Sequence, residues 1–266
     1  MKVIVQTWGL PGDTLEDKFV SAKEIGLDGI EYNLPGSGEP AALIKEAMEL
    51  GDKYGLYPLV AGGGYTGWLG DFDEEKRQGA VKAACEKILA LKGSSIRGYL
   101  APAAYGMHSA RLPRPKAPRT KEQDREILID SFSRVAEAAE KAGVDIYIEP
   151  LNRYEDHMIN TVAGAAEIID AVGSERVRIM GDFFHMNIEE RSIPETLVKY
   201  QKYLKHFHLS DSNRFMPGMG HTDFTNPLRM IAQLIPDATL SYECSYPADK
   251  KQALIENVAY VRSLYR

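Results

Sequence analysis

Four segments in the second half of the chain carry, at or near their ends, a side chain that can bind a metal or move a proton. VDIYIE ends at Glu149, VRIMGD at Asp182 and TLSYE at Glu243, while HFHLS presents His208. Three carboxylates and one imidazole make a hard, mostly oxygen donor set. It suits one divalent cation with open positions, Mn²⁺, Mg²⁺ or Co²⁺, better than it suits a closed tetrahedral zinc site. Glu149 and Glu243 also have the chemistry of a general acid and base. A carbonyl-hydroxyl substrate held between them would turn an acidic C–H toward a carboxylate on each face. Removal of the proton on one face and return on the other inverts a stereocentre. A lone acid after an apolar run is more often a turn or cap residue, but four consecutive segments built this way ask for a common cause.

That cause is the set of elements that must carry them. Short β-rich runs recur at about thirty-residue spacing: Lys2–Thr7, Gly29–Asn33, Tyr57–Ala61, Ser95–Leu100, Val144–Glu149, Val177–Asp182, His206–Ser210 and Thr239–Glu243. Stretches of helical apolar period separate most of them, at Leu15–Ile25, Glu74–Leu91, Gln123–Ala142, Val162–Val172, Pro194–Leu204, Pro227–Ile235 and Asp249–Leu264. Thr14 with Asp17 forms a capping box, and Asn226-Pro227 predicts an N-cap followed by proline at the first helical position. Strands alternating with helices imply parallel pairing and right-handed crossovers. Eight such units predict a single-domain (β/α)8 TIM barrel over residues 1–266. Barrel strands deliver their C-terminal ends to one face, so the four groups converge there. Gly62-Gly63-Gly64 lacks the dinucleotide-binding spacing of an open doubly wound sheet.

At this length roughly three-quarters of the extended surface is buried on folding. The formal net charge of −6 provides no general attraction to nucleic acid or anionic membrane. Cys85 and Cys244, far apart in sequence, read as reduced thiols more readily than as a disulfide. The opening MKVIVQTW is too short for a secretory apolar region, and no run reaches the length of a membrane span. These features predict a soluble, cytoplasmic protein. One connection is long: residues 101–122, rich in proline and base, would follow strand four on the catalytic face. Its Arg111, Arg114, Lys116 and Arg119 could meet an acidic substrate or a neighbouring subunit, or the loop could be a solvated lid.

The segments IEPLNRYEDHMINT (148–161), GDFFHMNIEE (181–190), HFHLSDSNRFMPGMGHTDF (206–224) and YEC (242–244) together resemble the ketose 3-epimerases and 5-keto-L-gluconate epimerase of the xylose isomerase-like TIM barrel superfamily. The strong motifs span about residues 145–245. The resemblance implies that Glu149 and Glu243 are metal ligands that also act as acid and base, with Asp182 and His208 as the other ligands. It implies that Glu155 binds a terminal substrate oxygen beside His185, and that Arg214 holds the substrate near its reacting hydroxyl. Read as residues alone, His185 could cap a βα loop, Glu155 could pair with Arg153, and Arg214 with Asp211. His206 shares a strand face with His208 and reads as its neighbour. His157 and His221 fall in loops, and His108 in the long loop is a candidate substrate contact. Trp8 and Trp68 suit pocket walls or core packing equally.

The expected activity is epimerisation or isomerisation of a keto-sugar or keto-sugar acid through a metal-bound enediolate. The same proton abstraction followed by loss of a β substituent would make a lyase, a dehydratase or a 3-keto-C-glycoside deglycosidase, the latter with a partner subunit. The partner is otherwise a small carbohydrate, neither nucleic acid nor membrane, with a homo-oligomer left open. A zinc endonuclease needs a trinuclear cluster that six dispersed histidines do not suit. A binding barrel without catalysis would have no use for an intact ligand set.

Overall fold

The computed structural model describes residues 1–109 and 116–265. Its eight strands are β1 Lys2–Val5, β2 Ile30–Asn33, β3 Pro58–Gly62, β4 Gly98–Leu100, β5 Asp145–Ile148, β6 Val177–Asp182, β7 Leu204–Leu209 and β8 Thr239–Tyr242. All pair in parallel in the order β1-β8-β7-β6-β5-β4-β3-β2. An isolated parallel bridge between Gln6 and Glu31 links the two outer strands and draws the sheet into a nearly closed barrel. The helices are α1 Leu15–Ile25, α2 Pro40–Tyr54, α3 Glu74–Ala90, α4 Lys121–Ala142, α5 Val162–Val172, α6 Phe183–Glu189, α7 Ile193–Tyr200, α8 Thr225–Leu234 and α9 Lys250–Ser263. The strand–helix alternation in the sequence thus forms the expected barrel.

Two local expectations need correction, and one open alternative is narrowed. Leu204 belongs to β7, paired with Ile179, because α7 stops at Tyr200, Tyr203 N–H closes the turn onto Tyr200 O, and Ile179 N–H on β6 donates to Tyr203 O. The helix predicted through Leu204 is therefore shorter. Asn226 is not an N-cap: α8 begins at Thr225, whose amide is taken by the Asp223 carboxylate at 2.9 Å. Arg119 is not a free anion receptor. Its guanidinium binds the Asp124 carboxylate at 2.8 Å and the carbonyls of Gly70 and Asp71, and lies over the Phe72 ring. It straps the long loop to the loop after β3. Lys116 is exposed, and Arg111 and Arg114 lie outside the described residues.

Period-two alternation places the site. Ile4, Val60, Leu100, Tyr147 and Met180 belong to an apolar cluster distinct from the main core between sheet and helices. Two residues farther along four of those strands, the same inward face presents Gln6, Gly62, Glu149 and Asp182. An apolar plug thus fills the barrel, and a polar layer sits on it at the C-terminal end. The capping box of Thr14 and Asp17 and one at Thr120 and Gln123 fix the starts of α1 and α4. Cys85 and Cys244 are both free. Among the described residues, no helix is long and apolar enough to cross a membrane.

Gly98 is where backbone meets this interior most closely. A Cβ there would lie 2.2 Å from Cζ and 2.6 Å from Oη of Tyr147 on the adjacent strand. Tyr147 in turn stacks on His206 at 5.5 Å. Gly98→Ala should therefore destabilise the fold by roughly 1–3 kcal/mol, as overpacking does. Urea unfolding measures this, and an unchanged midpoint would show that Tyr147 moves aside freely.

Candidate active site

Glu149 follows β5, Asp182 ends β6, His208 lies near the end of β7 and Glu243 follows β8. One ligand atom from each lies within 4.8 Å of the others, so the four side chains meet at a single place. His208 Nδ1 is 3.1 Å from Glu243 Oε2, 3.6 Å from Glu149 Oε1 and 3.8 Å from Asp182 Oδ2. Glu149, Asp182 and His208 are buried and Glu243 is half-buried.

Several features suit a cation at this point. Glu149 Oε1 is buried and has no hydrogen-bond partner, and an orphaned carboxylate oxygen in the interior is costly. The far nitrogen of His208, Nε2, lies 3.2–3.3 Å from both oxygens of Glu31, an arrangement that keeps its proton there. In the neutral ring the Nδ1 lone pair would then face three carboxylates, and only a proton or a metal between them makes that arrangement favourable. Asp182 uses Oδ1 to cap α6 at Phe184 N, 2.7 Å away, which turns Oδ2 toward the cluster.

The three residues expected to bind substrate line the same cavity, of about 260 Å³, along with Glu149 and Glu243. His185 on α6 accepts the Asn152 amide at Nδ1, 3.2 Å, leaving Nε2–H aimed between Glu149, Asp182 and Glu155 at 3.8–3.9 Å. Glu155 accepts from Asn152 Nδ2 at 3.2 Å, while Arg153 pairs with Glu189, not with Glu155. Arg214 donates to Asp182 Oδ2 at 2.7 Å and Glu243 Oε2 at 2.6 Å, with its guanidinium over the Phe184 ring. Asp211 is occupied elsewhere: its carboxylate accepts the amides of Ser212, Gly218, Gly220 and Thr222 and shapes the loop that carries Arg214. The φ of +63° at Arg214 is a left-handed conformation that a bulky residue adopts at a cost.

Trp68 lines the cavity; Trp8 is half exposed and meets the Tyr246 ring edge-on. His108 and His157 are not among the cavity-lining residues and pack on one another at 4.8 Å. Burial disfavours charge on His157, but Asp124 at 3.0 Å and Asp156 at 3.6 Å outweigh it and push its pKa up to about 9. His206 lies directly beside His208, with its Nε2 3.2 Å from Glu31 Oε2. Sequence reasoning missed Glu31 and Gln6. The available signal was an acid flanked by apolar residues in GIEYN, on the strand face that turns inward once the sheet closes.

Burial pushes the Glu149 carboxyl up, and neighbouring Glu243 adds to the effect. Burial pushes Glu243 the same way, but His208 and Arg214 outweigh it and hold the group at about 2. Burial alone would push His208 down; Glu31 and Glu243 reverse that and hold it well above the ordinary histidine range. The cation-free centre therefore keeps a proton on His208 at neutral pH, and metal binding must expel it. Adding Mn²⁺ should release about one proton or more per chain at pH 7 and bind more tightly at pH 8 than at pH 6. Calorimetry in buffers of different ionisation enthalpy reads the proton count, and pH-independent binding without proton release would contradict the assignment.

The family described as xylose isomerase-like TIM barrel matches residues 19–264. A 3-dehydro-D-guloside 4-epimerase from Escherichia coli (strain K12) is 36% identical over 268 residues, 99% of this chain and 100% of the relative. The apo crystal structure of a 3-keto-D-glucoside 4-epimerase from E. coli superposes with a TM-score of 0.92 at 35% identity, over 99% of each chain. A D-psicose 3-epimerase from Clostridium cellulolyticum H10, crystallised with D-tagatose, shares the fold at a TM-score of 0.84 and 20% identity, over 99% of each chain.

Proposed function

The chain belongs to the xylose isomerase-like TIM barrel family, and from that premise we propose that it is a divalent-metal-dependent epimerase of a keto-sugar. The observation that carries this reading is a pair of glutamates reaching one imidazole nitrogen from two sides. Glu149 comes from β5 beside His185, and Glu243 from β8 beside Arg214 and Gln6. Their environments push their pKa values in opposite directions, which is how paired carboxylates divide acid and base roles.

Glu149, Asp182, His208 and Glu243 would hold the cation, Mn²⁺ ahead of Mg²⁺ or Co²⁺, as an oxygen-rich donor set favours. When bound, such an ion supplies Lewis-acid polarisation of the sugar carbonyl, which acidifies the neighbouring C–H. One of the two glutamates takes that proton, and the other returns one to the opposite face. The step conserves atoms and inverts a single carbon. His185 Nε2–H and Glu155 bind and orient the terminal oxygens of the sugar, and Arg214 holds the hydroxyl at the reacting end. Arg214 also neutralises two of the carboxylates, so the pocket tolerates negative charge developing on the substrate oxygens.

The relative matched over its whole length is named for a 3-dehydro-guloside inverted at carbon four. Carbon four lies next to the carbonyl at carbon three, so that reaction fits the same proton transfer. A 3-keto-pyranoside is accordingly the first substrate to test, with free ketoses and keto-sugar acids after it. Residues 1–266 would act as one catalytic domain, and the sparse, unpaired cysteines agree with a reducing cytoplasm.

Incubation with Mn²⁺ and a 3-keto-glucoside in D₂O should place deuterium at the inverted carbon, read by NMR and mass spectrometry. Glu149→Gln and Glu243→Gln should each lower kcat by at least roughly 10²–10⁴-fold with the fold intact. Substantial turnover in either variant would overturn the proton-transfer roles. Release of an aglycone or an unsaturated product in place of an epimer would establish the lyase outcome.

A further inference from the structure

Beneath the four proposed ligands lies a second buried cluster that the proton transfer does not use: Glu31, His206 and the far nitrogen of His208. Glu31 stands on β2 where the barrel closes, and it is fully buried. Three donors fix its carboxylate. Gln6 Nε2 donates to Oε1 at 3.0 Å, His206 Nε2 donates to Oε2 at 3.2 Å, and His208 Nε2 lies 3.3 and 3.2 Å from the two oxygens. His206 is held in turn by the Thr239 hydroxyl at Nδ1, 2.6 Å, and by the Tyr147 ring stacked on its face. Gln6 uses the same amide nitrogen to reach Glu243 Oε1 at 3.1 Å, so one side chain ties Glu31 to a proposed ligand.

We propose that Glu31 is the positioning residue of the metal centre. By accepting the Nε2–H of His208 it sets the ring's tautomer and its rotation, so that Nδ1 meets Glu149, Asp182 and Glu243 with its lone pair bare. A buried carboxylate behind a ligating histidine also raises the electron density on the ligating nitrogen. Its position follows from the fold: β1 and β2 meet through Gln6 and Glu31, so closing the barrel and aiming the histidine depend on the same two residues. This inference rests on the four-ligand reading above.

A second cation among Glu31, His206 and His208 is the competing use of these atoms. Both Glu31 oxygens already accept from N–H donors, Oε1 from the Gln6 amide and Oε2 from His206. A cation there would also require His208 to give up both ring protons. The arrangement favours a hydrogen-bonded support over a second metal.

The test uses the full chain, stripped of metal and titrated with Mn²⁺, with metal content measured and folding followed by circular dichroism. The wild type should bind one Mn²⁺, and Glu31→Gln should bind it roughly 10- to 100-fold more weakly, the usual effect of removing such a support. Glu31→Asp, which keeps the charge but shortens the reach, should fall between them. Long-range ¹H–¹⁵N NMR of the Mg²⁺-loaded wild type should find the His208 proton on Nε2, a readout that stands even if a variant fails to fold. Equal Mn²⁺ affinity in wild type and folded Glu31→Gln would overturn the positioning role alone, whereas a proton on Nδ1 of the loaded protein would overturn both that role and ligation through Nδ1. Two Mn²⁺ in the wild type with one lost in Glu31→Gln would overturn it in favour of a second site. A wild type that binds no Mn²⁺ would overturn the four-ligand reading as well.

Discussion

An imidazole ring has two nitrogens, and in this barrel they face different groups of carboxylates. His208 Nε2 looks down toward Glu31, while Nδ1 looks up toward Glu149, Asp182 and Glu243. Four acids around one ring cannot all be stable without positive charge among them. The protein supplies part of it through Arg214, which spans Asp182 and Glu243, and part through the proton that His208 retains. Moving a single ion into a dry interior costs several kcal/mol even after relaxation, and removing one member of a buried pair costs about 3–5 kcal/mol. The other features of the polar layer follow from satisfying this cluster. Gln6 bridges two acids, Asn152 sets the His185 ring, and α6 takes up one oxygen of Asp182.

The site can be this charged because of what lies below and beside it. The apolar plug of Ile4, Val60, Leu100, Tyr147 and Met180 fills the barrel beneath the polar layer, and the cavity opens above it. On one flank, Trp68 and Tyr105 from the loops after β3 and β4 form part of the cavity wall. Arg119 binds those two loops together. On the proposed reading, a sugar carbonyl entering this space would meet fixed donors and acceptors, whose electrostatic interactions strengthen where water is excluded.

The barrel and the four converging side chains were legible because both depend on strand ends. Inward-facing residues recur with period two, and a ligand type at the last inward position of a parallel strand lands on the active face whatever the intervening sequence. Glu149, Asp182, His208 and Glu243 all obey that rule, and the resemblance in EPLNRYE and DSNR pointed to Glu155 and Arg214. Glu31 sits one inward position earlier on its strand, with Asn33 after it at the cavity, and was not legible. An acid between Ile30 and Tyr32 in a short strand reads equally well as a solvent-facing position of a half-buried sheet. Only closure of the barrel, through the bridge to Gln6, turns that position inward. The role of Arg119 stayed open between substrate, subunit and lid for a related reason. A basic residue in a proline-rich loop carries no mark of the two carbonyls and the aspartate that it meets in three dimensions. The α7–β7 boundary failed locally, because apolar spacing continues through the turn at Tyr200–Tyr203 and Leu204 suits either element.

The central claim is spatial: one cation sits among the tips of β5, β6, β7 and β8, bound to the upper nitrogen of His208. A crystal of the Mn²⁺-loaded protein measured at the manganese absorption edge tests it most directly. The account predicts one anomalous peak in contact with Glu149, Asp182, His208 Nδ1 and Glu243, with His208 Nε2 still bonded to Glu31. A peak among Glu31, His206 and His208 Nε2, or no peak in the barrel mouth, would contradict it.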